Sequence, residues 1–304
     1  MKARAPGKIV ISGAYSVLEG APALVAAVDR YALADSDRPP PMVTAEVQAA
    51  IDLGALDRAP FFDASALRAP LPGGGSRKLG LGSSAAILVA SIAAASGDPL
   101  RDGAALARAV FPPALAAHRR AQPRGSGIDV AASAYGGVIE ARLAADGALA
   151  VAPHALPAGL ILEVYACPTS ATTDDLVGRV KTLAHTDRHR YTRLLGRAGD
   201  GARAAAGTAD LRAWLDAVEL QIDALGELGA AAGAGIVTSE VGLLRRVALT
   251  EGAVFGPSGA GGGDIALYAG ARASSAAFRA QAARLGFDLL DLHVGAPGVS
   301  LVAD

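Results

Sequence analysis

Cysteine is almost missing from this chain: Cys167 is the only one in 304 residues. A lone thiol excludes an internal disulfide framework and any zinc cluster built on cysteines. Aromatic side chains are scarce as well, at 4%, while apolar residues overall make up 52%. The core must therefore be aliphatic, and a chain this rich in Ala, Val, Leu and Ile is folded rather than disordered. No sign of charge dominates. A formal net charge of −1 gives no global attraction to nucleic acid or to an anionic membrane, so any anionic ligand has to be met by local groups. No apolar run approaches the ~20 residues of a membrane span, and MKARAPGKIVISG is too short and interrupted to read as a signal peptide. What remains is a cytoplasmic enzyme or binding protein that handles a small molecule, with its oligomeric state open.

Lysine is the last scarcity. Of 28 basic residues only Lys2, Lys8, Lys78 and Lys181 are lysines, and Lys8 and Lys78 sit in glycine-bearing segments. A compact ammonium serves as a point charge against phosphate in a way the planar guanidinium does not duplicate.

The length suggests two domains sharing a cleft, and the pattern mixes strands and helices throughout. KIVISG (8–13) and ALVAAVDRYALA (23–34) read as strands, and MVTAEVQAAIDL after the DRPPP break reads as a third strand-like stretch. PLPGGGSRK (70–78) is a flexible approach to a helix over 85–96 that ends at Gly97. A helical 100–121, a loop at 123–128 and IDVAASAYGGVIEARL, helix or strand, follow. A strand in HALPAGLILEVYA (154–166) opens a second domain, which places the division at 1–153 and 154–304. DDLVGRVKTLA, 188–206 and LRAWLDAVELQIDALGELGAAAG read as helices, GAVFGPSGAGGGDIALYAG as strand, glycine loop and strand, and 287–303 as a final strand pair.

Chemistry concentrates in glycine-bearing segments. KLGLGSSAA (78–86) precedes a buried-looking helix, and a helix N-terminus with unpaired N–H groups and roughly half a positive charge suits phosphate. Serine before a helix is equally an ordinary cap and glycine an ordinary turn. A Walker A loop needs lysine after its second glycine, where this chain has Ser83. Gly80, Gly82 and Ala85 satisfy the dinucleotide fingerprint, but LPGGGSRK is no buried strand to precede it. Neither HRD nor DFG occurs, which excludes a protein kinase. The companion segments are APGKIVISGAYSVLEG (5–20), GSGIDVAASAYGG (125–137) and GPSGAGGGDIALYAG (256–270).

Together, APGK before a strand and glycine, GLGSSAA, and SGAGGGD resemble, in order and spacing over nearly the full length, the GHMP family of small-molecule kinases. Within it, Lys78 ahead of LGLGSSAA, AHRRAQPRGSGIDVAASAYGG, GAYSVLEG and the Asp264 that ends PSGAGGGD resemble the phosphomevalonate kinase branch. The resemblance implies an α+β fold with an N-terminal mixed α/β domain, a C-terminal ferredoxin-like domain and the active site between them. It implies ATP and Mg²⁺ as cofactors and phosphoryl transfer to 5-phosphomevalonate. A hydroxyl acceptor such as mevalonate, or a noncatalytic homologue that binds a metabolite, is the alternative.

By the same resemblance Lys8 and Asp129 are catalytic. Lys78, Gly80, Leu81, Gly82, Ser83, Ser84 and Ala85 hold the nucleotide, with Ser84 as a metal ligand. Tyr15, His118, Ser126, Gly127, Ser258, Gly259, Ala260 and Gly261 surround the acceptor. Two departures stand out: Ala14 where the motif often has Glu, and Gly256 where many relatives have Lys; CPTSATTDDLV (167–177) matches only the later part of its segment. Arg119, Arg120 and Arg124 read as a solvated basic face or as groups for the acceptor's phosphate. His185 and His189, at i, i+4 without the metalloprotease Glu, read as surface, and Cys167 as core.

Overall fold

The computed structural model describes residues 1–70, 74–96, 103–170 and 173–302. The first half contains β1 (Lys2–Ser12), β2 (Ala23–Asp35), α1 (Ala45–Asp52), β3 (Phe61–Asp63), β4 (Arg68–Pro70), β5 (Ser76–Lys78), α2 (Ser83–Ala95), α3 (Gly103–Ala121), α4 (Ile128–Tyr135), β6 (Val138–Leu143) and β7 (Leu149–Pro153). The second contains β8 (Ile161–Ala166), α5 (Thr173–Thr186), α6 (Arg188–Ala206), α7 (Leu211–Ala232), α8 (Ser239–Thr250), β9 (Val254–Pro257), β10 (Ile265–Gly270), α9 (Ala276–Arg284), β11 (Asp288–Leu289) and β12 (Ser300–Val302).

Two antiparallel sheets organise these elements. The larger runs β12-β1-β2-β6-β7, with β3 on β2, and the smaller runs β11-β8-β10-β9. Taken in chain order, the strands of the smaller sheet lie 4-1-3-2 with helices in the crossovers, the β-α-β-β-α-β arrangement of a ferredoxin-like fold. The fold class expected from the motifs is the one present.

α2 explains where the larger domain keeps its core. From Ala85 to Ala94 every residue of this helix is buried, as befits a helix apolar on all sides, and it packs on β1, β2, α3 and α4. Burial of that kind stabilises strongly: emptying the Leu88 site to alanine would cost about 2–5 kcal/mol. The scarce aromatics gather in the smaller domain, where Tyr165, Phe255, Phe278, Phe287 and Tyr268 pack edge to face at centroid distances of 5.0–5.9 Å. Cys167 is buried with them, and burial pushes its thiol up to about 12, so it is core as expected.

Two expectations about elements fail. MVTAEVQAAIDL is not a strand: residues 45–52 form α1, because the Thr44 hydroxyl accepts from the Val47 N–H at 3.2 Å and caps the helix, while Val47, Ala49 and Ala50 bury one face on α3. Residues 287–303 do not pair with each other. β11 joins β8 in the smaller sheet, whereas β12 crosses back to pair Ser300–Val302 with Lys2–Arg4 of β1. IDVAASAYGGVIEARL resolves into both alternatives, α4 and then β6. Gly97 and residues 100–102, 71–73 of the flexible approach, and 171–172 of CPTSATTDDLV lie outside the described residues. His185 and His189 are exposed, and among the described residues no helix is long and apolar enough to cross a membrane.

Candidate active site

The site grows from β1. Its register against β2 slips between Pro6 and Gly7, which accommodates a proline inside a paired strand, and Gly7 then passes so near the 79–82 loop that a Cβ there would lie 2.8 Å from the Leu81 carbonyl oxygen. The Lys8 N–H donates to that same carbonyl at 2.8 Å. APGK is therefore a device that locks β1 to the loop before α2 and delivers the Lys8 side chain beside it.

Leu79 and Leu81 are buried anchors, and between and after them Gly80 (φ 75°) and Gly82 (φ 74°) adopt the left-handed conformation. Alternating anchor and hinge turns the chain into α2 with Gly82 as its N-cap and no side chain capping the first turn. The first amides, from Ser83, Ser84 and Ala85, are thus left for a ligand, and the Ser83 and Ser84 hydroxyls are half-buried with no partner among the described residues. The Lys8 stem runs along Gly82, where an added Cβ would meet its Cγ at 2.9 Å.

α4 supplies the acid. Gly127, left-handed at φ 81°, caps it without a side chain, and Asp129 stands in its first turn, where the helix dipole favours a carboxylate. Lys8 and Asp129 line one cleft of about 770 Å³ together with Tyr15, His118, Ser126, Gly259 and Ala260. Neither makes an ion pair with the other or with any described residue, so both charges are open to a ligand.

His118, near the end of α3, is only 2% exposed, and both ring nitrogens lack a partner although the ring borders the cleft. Leaving a buried polar group unpaired costs about 1–3 kcal/mol, a cost a bound ligand can remove. Tyr15 has φ 60°, unusual for a bulky residue, and its hydroxyl donates to the Ala260 carbonyl at 2.6 Å; burial raises its phenol pKa.

The glycine loop between β9 and β10 closes the site from the smaller domain. The Ser258 hydroxyl is bound to β1, accepting from the Val10 N–H at 2.9 Å and donating to its carbonyl at 3.0 Å, and it lies outside the cleft walls, as do Gly127 and Gly261. Asp264 lies over the other loop: an added Cβ on Gly80 would fall 2.5 Å from the Asp264 Cβ. Ser170 donates to its carboxylate at 2.5 Å.

Some participants escaped the sequence reading. Arg77 donates to the Cys167 carbonyl at 2.6 Å and ties the β4–β5 hairpin to the smaller domain. Its neighbour Lys78 is exposed on β5 and not among the cleft residues, since consecutive strand residues face opposite sides. Gln122 donates from Nε2 to buried Glu46 of α1 at 2.5 Å; nothing in the sequence links the two. Of the three arginines, Arg119 bonds the Gly147 carbonyl, Arg120 is exposed, and Arg124 lines the cleft. Ala14 is also in its wall. At Gly256 any side chain would strike Ile222 at 2.5 Å, so the charge many relatives carry there has no room here.

This architecture is the fold of the GHMP small-molecule kinases. The Lin0012 protein of Listeria innocua matches over 100% of both chains, with a TM-score of 0.80 and 22% identity. Phosphomevalonate kinase of Streptococcus pneumoniae, solved with phosphomevalonate and AMPPNP, matches over 97% of this chain and 99% of its own, with a TM-score of 0.75 and 19% identity. Mevalonate kinase of L. major with R-mevalonate matches over 93% and 90%, at 0.64 and 19%. No protein-family model and no curated protein sequence matches the chain.

Proposed function

We propose that this chain is an ATP-dependent kinase of the GHMP type that transfers a phosphoryl group to 5-phosphomevalonate, giving 5-diphosphomevalonate and ADP. The observation that carries the reading is Lys8: an unpaired ammonium whose stem lies along Gly82 at the open start of α2, in the same cleft as Asp129. Transfer to an acceptor that is itself a phosphate brings two anions together, and the protein's task is to position and screen them.

In this reading the uncapped amides of Ser83, Ser84 and Ala85 take the nucleotide phosphates, and exposed Lys78 adds to the positive field beside the loop. Mg²⁺, when bound, neutralises phosphate charge, and the free Ser84 hydroxyl would hold it. Among the described residues no three His, Cys, Asp or Glu side chains form a metal cluster; a small octahedral ion that keeps its waters and takes phosphate oxygens requires only one or two protein groups.

A phosphomonoester has its second pKa near ~6 and is mostly the dianion at pH 7, so its attacking oxygen has no proton to lose. Asp129 then orients Lys8 and the acceptor rather than acting as a base, and Lys8 carries the larger share. Tyr15, Ser126, Gly259 and Ala260 wall the acceptor, Gly127, Ser258 and Gly261 hold those walls in place, and the buried His118 ring hydrogen-bonds it.

The test is ADP release by the purified chain with ATP, Mg²⁺ and a panel of phosphomevalonate, mevalonate, galactose and homoserine. Turnover with phosphomevalonate is expected. Turnover confined to mevalonate would move the acceptor to the hydroxyl class and make Asp129 a base, and no release with any acceptor would overturn the kinase reading.

A further inference from the structure

We propose that Asp264 sets the form of nucleotide this site accepts: its free carboxylate oxygen, held over the loop before α2, disfavours bare triphosphate and favours triphosphate that carries a divalent cation. The proposal rests on the reading of that loop as the nucleotide site.

Asp264 ends the glycine run between β9 and β10, and with Tyr15 it is one of two non-glycine residues of positive φ among the described residues, at 60°. The left-handed region is unfavourable for a residue with a side chain, and such a conformation persists only where its surroundings over-determine it. Here they do. The Asp264 N–H donates to the Thr169 carbonyl at 2.9 Å, and the Asp264 carbonyl accepts from the Cys167 N–H at 2.8 Å. Glycine at 264 would hold the same turn without strain, so the turn by itself does not account for a carboxylate.

The two carboxylate oxygens are used differently. Oδ1 accepts from the Ser170 hydroxyl at 2.5 Å, which fixes the direction of the side chain. Oδ2 lies 3.0 Å from where a Cβ on Gly80 would stand and has no hydrogen bond or ion pair with any described residue. Arg77 does not neutralise it: that guanidinium is tied to the Cys167 carbonyl and forms no ion pair with a described residue.

A latch between the two domains needs only Oδ1. Oδ2 places a negative charge against a loop whose open amides attract anions, and phosphates seated on those amides meet it at short range in a half-buried setting, where repulsion is poorly screened. A divalent cation on the phosphates reverses the sign of that interaction, because carboxylate is a hard oxygen group of the kind Mg²⁺ accepts beside phosphate. The amides attract both forms of the nucleotide. Asp264 supplies the difference between them, as an unanswered charge does wherever one ligand brings its partner and the other does not.

Calorimetry of AMPPNP binding to the full chain, in excess Mg²⁺ and in EDTA, reads the discrimination as a ratio of two affinities. Asp264→Asn keeps the side-chain shape, and asparagine tolerates positive φ. This variant is expected to bind AMPPNP in EDTA about tenfold tighter than the wild type does and to lower the Mg²⁺-to-EDTA ratio by at least that factor. Asp264→Gly relieves the strain and is expected to show the same lowered ratio, whereas Ser170→Ala, which keeps the charge, stays near the wild type. An unchanged ratio in both Asp264 variants overturns the proposal. So does an equal fall in affinity with and without Mg²⁺, the mark of a residue that only holds the loop. Wild-type chain that binds no AMPPNP in either condition would instead remove the nucleotide site itself, and the proposal with it.

Discussion

The two ends of the candidate site are made of different material. At the end beside α2 the groups on offer are mostly backbone amides, released by Gly80 and Gly82 and held by the anchors Leu79 and Leu81. In the cleft beside Lys8 they are side chains gathered from places far apart: Tyr15 after β1, His118 from α3, Arg124 before α4, Val177 from α5 and Ala260 between β9 and β10. A backbone site is specified by a few consecutive residues, because the turn that opens it is local. A side-chain site is specified only by the whole fold. It follows that one end is fixed by geometry and the other is free to change its ligand by substitution.

Lys8 stands where the two ends meet, and its replacement gives the largest effect expected here. Lys8→Met lowers kcat by about 10²–10³-fold, the scale of losing one preorganised charge on a transferring group. It exceeds the loss in Asp129→Asn when phosphomevalonate is the acceptor. Rates of both variants over about pH 5.5–9 measure this. If Asp129→Asn abolishes turnover and Lys8→Met is mild, the two residues exchange roles and the acceptor is a hydroxyl.

The next effect tests whether the end beside α2 is a backbone device. In Gly80→Ala the methyl meets the Asp264 Cβ at 2.5 Å and sits on a left-handed φ of 75°. The strain alone is about 1–2 kcal/mol. The KM for ATP should rise about tenfold, while the binding of acceptor alone, read by calorimetry, changes little. Equal damage to both ligands would mean that the ends are not separable.

The smallest effect belongs to Ser84→Ala. Its hydroxyl has no partner among the described residues, so the melting temperature should barely move while kcat with Mg·ATP falls several-fold. A drop in melting temperature with unchanged kcat would make the serine a packing residue.

Legibility follows the same division. The strand over 8–13, the turn of GLGSSAA and the loop of SGAGGGD are legible because each carries its own local reason, an apolar run or glycines, whereas the extension of β1 back to Lys2 through Pro6 depends on a bulge that the sequence does not mark. Helices α5, α6 and α7 were readable from periodicity. Residues 45–52 were misread because their alanine-rich alternation looks strand-like until Thr44 is seen to cap a helix. The separate fates of β11 and β12 were not readable, since short strands carry no mark of which sheet they will join. The roles of Arg77 and Glu46 are hidden in the sequence because the residues they bond, Cys167 and Gln122, are distant from them along the chain.

The return of β12 to β1 also governs when this molecule can first exist. Lys2–Arg4 find one of their two partner strands only in residues 300–302, and the segment before it bridges back at Val28 to Val294 and Gly136 to Pro297. On the ribosome, the strand that bears Lys8 is made long before the strand that flanks it. Until residues 300–302 are made, β1 therefore presents an unpaired edge, the kind that invites a wrong partner, and the closure that covers it spans a very long loop. A nascent chain halted before residue 300 should be the form that chaperones hold most tightly.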